Sequence, residues 1–312
     1  MAAIRKQCGK DCEFVYAEAP IVLKPVDLPQ NLASIGAVEP HPPMDSSTTG
    51  ATVEVESPEL IARGWWLRDR PESMRICISF MAELLKEHDG KPFDGVLGFS
   101  QGACAAALLT VMLENPDSIS GLLSASPGGD SGSASITHPC LKFCILIAGF
   151  RPRFVRRVLN GETQDSPDAF EDELQRIFDT GIHTPTLHVL GENDQIVGRE
   201  RSQTLIDVCD EQTRRIERHE GGKSRYHKPL YPSTNYFVML NFSTGNLLDI
   251  GKGHFVPSKT SWRHFFARYI HLDRHSDSDG LSSPNPMLTE AGTGSGWSTP
   301  GFGSGTTTPR LD

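Results

Sequence analysis

The stretch Phe93 to Leu109, FDGVLGFSQGACAAALL, decides the fold. Its opening, FDGVLG at 93–98, is a short apolar run next to a turn signal and reads as a buried strand. Ala103 to Leu113, ACAAALLTVML, reads as a helix whose small side chains permit a close approach to a sheet. Between them, Gly98-Phe99-Ser100-Gln101-Gly102 fits the pattern G-x-S-x-G. In that pattern a serine sits on a strained strand-to-helix corner, so the residues beside it must be small. The corner lifts the hydroxyl clear of the sheet. It also aims the first amides of the following helix at the point where negative charge develops on a substrate oxygen. Ser100 is the candidate nucleophile, and the Gln101 backbone amide is the candidate oxyanion donor.

A serine hydroxyl needs a general base, and the base needs an orienting acid. On this kind of fold the chain order is Ser, then Asp or Glu, then His. Asp194 follows an apolar run, TLHVL at 186–190, in the loop GENDQIV, with Glu192 as its neighbour and rival. His254 lies in GHFVP at 253–257, where the preceding glycine gives the loop freedom to reach the serine. His219, in RHEGG at 218–222, is the rival base, and His188 sits inside a strand.

Outward from the elbow, strand and helix signals alternate. Phe14 to Tyr16 reads as a short strand after a helix within residues 1–12, and SMRICISFMAELLK at 73–86 has an apolar face at helical spacing. LKFCILIAG at 141–149 and TLHVL at 186–190 are strands, with helices over 168–178 and 199–209. Alternation of this kind predicts a mostly parallel sheet. HPPMDSSTTG at 41–50 and PGGDSGSAS at 127–135 read as loops. Beyond residue 272 the chain is rich in Ser, Thr, Gly and Pro with little to bury, so residues 273–312 read as a disordered tail behind a domain of 1–272. Trp65, Trp66 and Phe99 are candidates for an apolar substrate pocket, with the core as the other reading of the tryptophans. Arg151 and Arg153 offer charge for an anionic group, or are solvated surface arginines.

The 312 residues are 38% hydrophobic, enough for a large core, and carry a formal charge of -9 with scattered Lys and Arg. That balance argues against a nucleic-acid or anionic-membrane surface. No apolar run reaches the roughly 18 residues needed to cross a bilayer, and no signal peptide is read at the start, so the cytoplasm is the expected location. Cys8 and Cys12, and Cys140 and Cys144, stand four apart among seven cysteines. The usual CxxC spacing of a zinc site is absent, so buried thiols are expected and no metal or cofactor.

GWWLRD at 64–69, KPFDGVLGFSQGACAAALL at 91–109, LKFCILIAGFRPR at 141–153, TPTLHVLGENDQIV at 184–197 and GHFVP at 253–257 together resemble the fungal FSH-type serine hydrolases. That family also includes the human ovarian-cancer-associated hydrolase. The resemblance is strongest to esterases and thioesterases found beside fungal polyketide synthases. It implies an α/β-hydrolase with a doubly wound, mostly parallel sheet and a triad of Ser100, Asp194 and His254. The implied activity is cofactor-free cleavage of a small-molecule ester or a carrier-bound acyl-thioester, with a polyketide synthase carrier protein as partner.

Two departures stand out. Members of this family begin with a strand and a Leu-His-Gly-type loop that supplies a second oxyanion donor. This chain starts at what resembles the following helix, so the sheet is expected to lack that first strand. The family also reads His-x-Gly-Gly-His-x-x-Pro continuously, whereas here Lys223–Gly253 separates HEGG from HFVP. That stretch is read as a retained intron or as an insertion, such as a lid over the pocket. The alternative function is a catalytically impaired or non-enzymatic binding protein that keeps the fold.

Overall fold

The computed structural model describes residues 2–24, 62–87, 91–117, 137–154, 158–159, 162–163, 169–220, 237–241, 253–272 and 281–284. The loops expected at 41–50 and 127–135 lie outside them, as does most of the tail.

Six parallel strands form the main sheet. In chain order they are β1 (Phe14–Glu18), β4 (Gly95–Phe99), β5 (Phe143–Ile147), β8 (Thr186–Gly191), β9 (Arg214–His219) and β10 (Phe237–Asn241). Two short antiparallel pairs lie outside this sheet: β2 (Ile21–Val22) with β3 (Arg63–Gly64), and β6 (Val158–Leu159) with β7 (Glu162–Thr163). In space the six strands run β1-β10-β4-β5-β8-β9. Helices α1 (Ala2–Cys8), α2 (Met74–Glu87), α3 (Gln101–Glu114), α4 (Ala169–Asp179), α5 (Arg199–Ile206) and α6 (Thr260–His271) accompany it.

The alternation of side chains along each strand divides the core in two. Val96, Cys144 and Leu146 join a cluster built from α2, α3, α4 and α5. Leu97, Ile145, Ile147, Leu187 and Val189 join a second cluster with Ile4 and Cys8 of α1 and Trp262, Phe265, Phe266, Tyr269 and Ile270 of α6. Helices therefore cover both faces, as expected of an α/β-hydrolase. Every residue of α3 from Gly102 to Leu113 is buried, which is why its sequence shows no polar face. At its far end the Glu114 carboxylate accepts the His183 amide (2.9 Å) and the Thr184 amide (2.6 Å), fixing the chain just before β8.

Three elements of the main sheet and its covering helices were not foreseen. α6 carries its apolar residues at plain helical spacing, Trp262, Phe265, Phe266, Tyr269 and Ile270, all buried. β9 has the sequence RRIERH, whose charges hide a strand. Its buried positions are Glu217, which meets Arg215 at 2.7 Å and Ser283 Oγ at 2.6 Å, and His219. The Leu281 side chain is buried and its carbonyl accepts Arg215 (2.6 Å), so residues 281–284 dock on this edge.

β10 is the third. It falls within Lys223–Gly253, yet it is hydrogen-bonded between β1 and β4, with Phe14↔Phe237 through Glu18↔Asn241 on one side and Phe237↔Gly95 through Leu240↔Gly98 on the other. This part of the segment is sheet, not a lid. Removing 223–253 would leave two strand edges with unpaired backbone groups inside the sheet. The shortened protein is expected to lose cooperative unfolding or to drop by more than 10 °C in Tm, roughly what a loss of several kcal/mol produces. Circular-dichroism melts of both forms check this. A shortened protein as stable as the full chain would show that the sheet closes without β10.

Candidate active site

All six strands are parallel, so their carboxyl ends share one edge, and loops at that edge meet. Ser100 follows β4 there. Its backbone lies at φ 54, ψ -122, a left-handed conformation costly for a side-chain-bearing residue. Its amide donates to the Ile147 carbonyl at 2.8 Å, and its carbonyl accepts Ala103 (2.9 Å) and Cys104 (3.3 Å), which starts α3. A Cβ on Gly98 would lie 2.2 Å from the Gly102 carbonyl oxygen, so the corner closes only with glycine there.

Asp194 follows β8. Its Oδ1 accepts the amides of Ile196 (2.9 Å) and Val197 (2.8 Å), a local turn that fixes the carboxylate and leaves Oδ2 aimed elsewhere. That oxygen lies 2.7 Å from His254 Nδ1, with the two side chains 3% and 4% exposed. The other ring nitrogen, Nε2, lies 3.0 Å from Ser100 Oγ. Gly253, at φ 106, lets the loop before His254 press against the backbone of Asn193 and Asp194, where a Cβ would come within 2.5 Å. The Phe99 ring packs 4.9 Å from the imidazole, centroid to centroid.

The structure thus brings Ser100, His254 and Asp194 into one hydrogen-bonded chain. A hydroxyl, an imidazole and a buried carboxylate in this order can transfer a proton from oxygen to nitrogen while the carboxylate supports the imidazolium. The rivals sit elsewhere. Glu192 meets Arg218 at 3.5 Å. His219 is buried at the end of β9 against the rings of Phe255 and Trp262.

Trp65 and Trp66 are placed in the core, 0% and 3% exposed, not on an open pocket wall. They touch the elbow through their backbone: Gln101 Oε1 accepts the Trp65 amide (2.9 Å) and Gln101 Nε2 donates to the Trp66 carbonyl (2.8 Å). This side-chain latch was not anticipated. It holds the first residue of α3, whose amide has no earlier helical turn to bond. Arg151 is also engaged, by the Gln175 carbonyl (2.8 Å) and Asp179 (2.7 Å). β10 ends at Asn241, one residue past the Leu240↔Gly98 pairing, so its carboxyl end opens beside the elbow.

The model of the family described as serine hydrolase (FSH1) matches residues 1–224. The chain belongs to this family. The match includes Ser100 and Asp194 and stops short of His254. Among curated relatives within reach of the family, an uncharacterized hydrolase of Schizosaccharomyces pombe is 25% identical over 215 residues, 67% of this chain but only 39% of that protein. The protein named family of serine hydrolases 2 of Saccharomyces cerevisiae is 26% identical over 215 residues, covering 67% of this chain and 75% of the relative. Esterase OVCA2 of Homo sapiens is 28% identical over 182 residues, 53% of this chain and 64% of that one. The chain therefore spans well under half of the first relative's length.

Two buried histidines, His188 within β8 and His219 at the end of β9, give a pH signature. Burial pushes His219 down from the ordinary 6.5 to about 4, partly offset by the Asp194 charge. Burial, with Arg214 nearby, pushes His188 down to about 3. Above the ordinary value both are neutral in either state and stability is complete. Below it the unfolded chain takes up protons that the folded one refuses, so stability falls as pH falls toward the folded values. At about pH 5 each histidine costs roughly 2 kcal/mol. Urea unfolding between about pH 7 and pH 5, before most carboxylates titrate, is expected to show a falling midpoint. A flat profile would contradict the neutral, buried state of both rings.

Proposed function

We propose that this protein cleaves a carboxylic ester or an acyl-thioester through an acyl-serine intermediate. The observation that carries the reading is the continuous hydrogen-bonded chain from Ser100 Oγ through His254 to Asp194. His254 takes the hydroxyl proton as Ser100 Oγ attacks the acyl carbonyl. Asp194 holds the ring with its Nδ1 proton toward the carboxylate and supports the imidazolium that forms. The Gln101 amide donates to the oxyanion. His254 then gives its proton to the departing alcohol or thiol. In the second half water, deprotonated by His254, attacks the acyl-serine, and His254 returns that proton to Ser100 Oγ as the acid is released. Strain at Ser100 favours this reading over a binding protein that merely keeps the fold, because such strain costs about 1–3 kcal/mol and is characteristic of working sites.

The relatives named as esterases support an oxygen ester as the first substrate class. A carrier-bound acyl-thioester, a polyketide synthase carrier protein as partner and a place in fungal secondary metabolism rest on the sequence resemblance. Among the described residues no helix is long and apolar enough to cross a membrane. A cytoplasmic site of action and a catalytic unit of 1–272, against which residues 281–284 of the tail dock, complete the proposal.

Steady-state hydrolysis of short p-nitrophenyl esters, compared with acyl-thioesters of matched chain length, tests the reading. Ser100→Ala is expected to lower kcat by about 10⁶, and Asp194→Asn by about 10⁴. Wild-type activity retained in Ser100→Ala would refute it. A kcat/KM for thioesters well above that for oxyesters would move the assignment to thioesterase.

A further inference from the structure

The two chain ends of the described domain meet at a cluster that the hydrolase site does not use. Cys8 is the last residue of α1, and Gly9, at φ 76, begins a single turn of 3-10 helix over Gly9–Asp11. That turn brings Cys12 back beneath Cys8, and both side chains are buried in the packing against α6, Cys8 at 4% and Cys12 at 2% exposure. His271, the last residue of α6, closes the third corner, with Nε2 3.7 Å from Cys12 Sγ. The two sulfurs and one imidazole nitrogen all lie within 4.8 Å of one another.

We propose that Cys8, Cys12 and His271 bind a zinc ion. A tetrahedral zinc with Zn–S of about 2.3 Å and Zn–N of about 2.0 Å separates its sulfur and nitrogen ligands by roughly 3.6 Å and its two sulfurs by roughly 3.8 Å. The Cys12–His271 distance already matches, and the remaining separations need contract by no more than about 1 Å to reach that geometry. Two thiolates and an imidazole form a borderline-soft donor set that suits zinc better than magnesium or calcium. The half-site Cys8-x3-Cys12 falls within the C-x2–4-C range of zinc half-sites, and its third ligand lies at the other end of the domain.

Binding converts two thiols to thiolates and releases two protons to solvent. His271 Nε2 now lies 3.3 Å from the Cys8 carbonyl. In the zinc-bound form its lone pair goes to the metal and the ring proton sits on Nδ1. His271 is exposed, so a water completes the fourth position. The ion joins the end of α1 to the end of α6, and none of its three protein ligands belongs to the Ser100–His254–Asp194 chain.

The full-length protein, reduced and stripped with a chelator, is titrated with Co²⁺ and then Zn²⁺. One equivalent of cobalt is expected to give a thiolate-to-cobalt charge-transfer band with tetrahedral d–d intensity, bleached by zinc. Cys12→Ser should abolish the band, and the exposed His271→Ala, which keeps both buried thiols, should weaken binding by roughly tenfold or more. Cys140→Ser, at an exposed cysteine outside the cluster, should leave it unchanged. Absence of the band in folded wild-type protein, a band undiminished in His271→Ala, or a Cys8–Cys12 disulfide found by thiol trapping in freshly isolated protein would each overturn the proposal. The readout is metal binding, so it stands or falls independently of hydrolysis at Ser100.

Discussion

The corner at Ser100 is the constraint on which the other features depend. A side-chain-bearing residue at φ 54 is held there only if its surroundings leave it no alternative. The tie to β5 through Ile147, the bare Gly98 under the Gly102 carbonyl and the start of α3 on the Ser100 carbonyl supply that restraint. Gln101 adds a clamp on the 65–66 backbone from the other side. With the corner fixed, the hydroxyl stands at the carboxyl edge of the sheet. The loops after β8 and before α6 then need only meet there, and Gly253 lets them do so in near backbone contact.

The same edge explains the distribution of polarity. Strands β4, β5 and β8 are buried on both faces, so their inward groups must be apolar or paired. Within β8, Thr186 and His188 are buried polar exceptions, and the neutral His188 together with His219 at the end of β9 makes stability sensitive to mild acid. β9 lies at the sheet's margin and tolerates charge because Arg215, Glu217 and Ser283 satisfy one another. β10 occupies the place between β1 and β4, so the sheet is continuous up to the elbow strand.

The elbow was legible because it rests on a short-range rule, that Gly98-Phe99-Ser100-Gln101-Gly102 must close a corner, and the acid and base because they follow it in a set chain order. Strand and helix boundaries agreed to within a few residues wherever apolar runs were uninterrupted: 141–149 against Phe143–Ile147, 73–86 against Met74–Glu87. Apart from α6, what was missed depends on long-range pairing. RRIERH becomes a strand because β8 offers it a parallel edge, and no local period announces that. β10 is defined by its two neighbours, both distant in sequence. The tryptophans were ambiguous for a similar reason, since an aromatic pair reads alike in a core and on a pocket wall. α6 was missed although its apolar residues stand at helical spacing, a local signal that was there to be read. The pairing of Cys8 and Cys12 with His271 was not readable, because it joins the two ends of the domain.

The central claim is that Ser100 is an activated nucleophile in the folded protein. Covalent labelling by a fluorophosphonate, followed by intact mass and peptide mapping, tests it most directly. The account predicts a single adduct on Ser100 of the wild-type protein, absent from Ser100→Ala and much slower to form in His254→Ala. A folded wild-type protein that takes no adduct, or takes it on another residue, would contradict it.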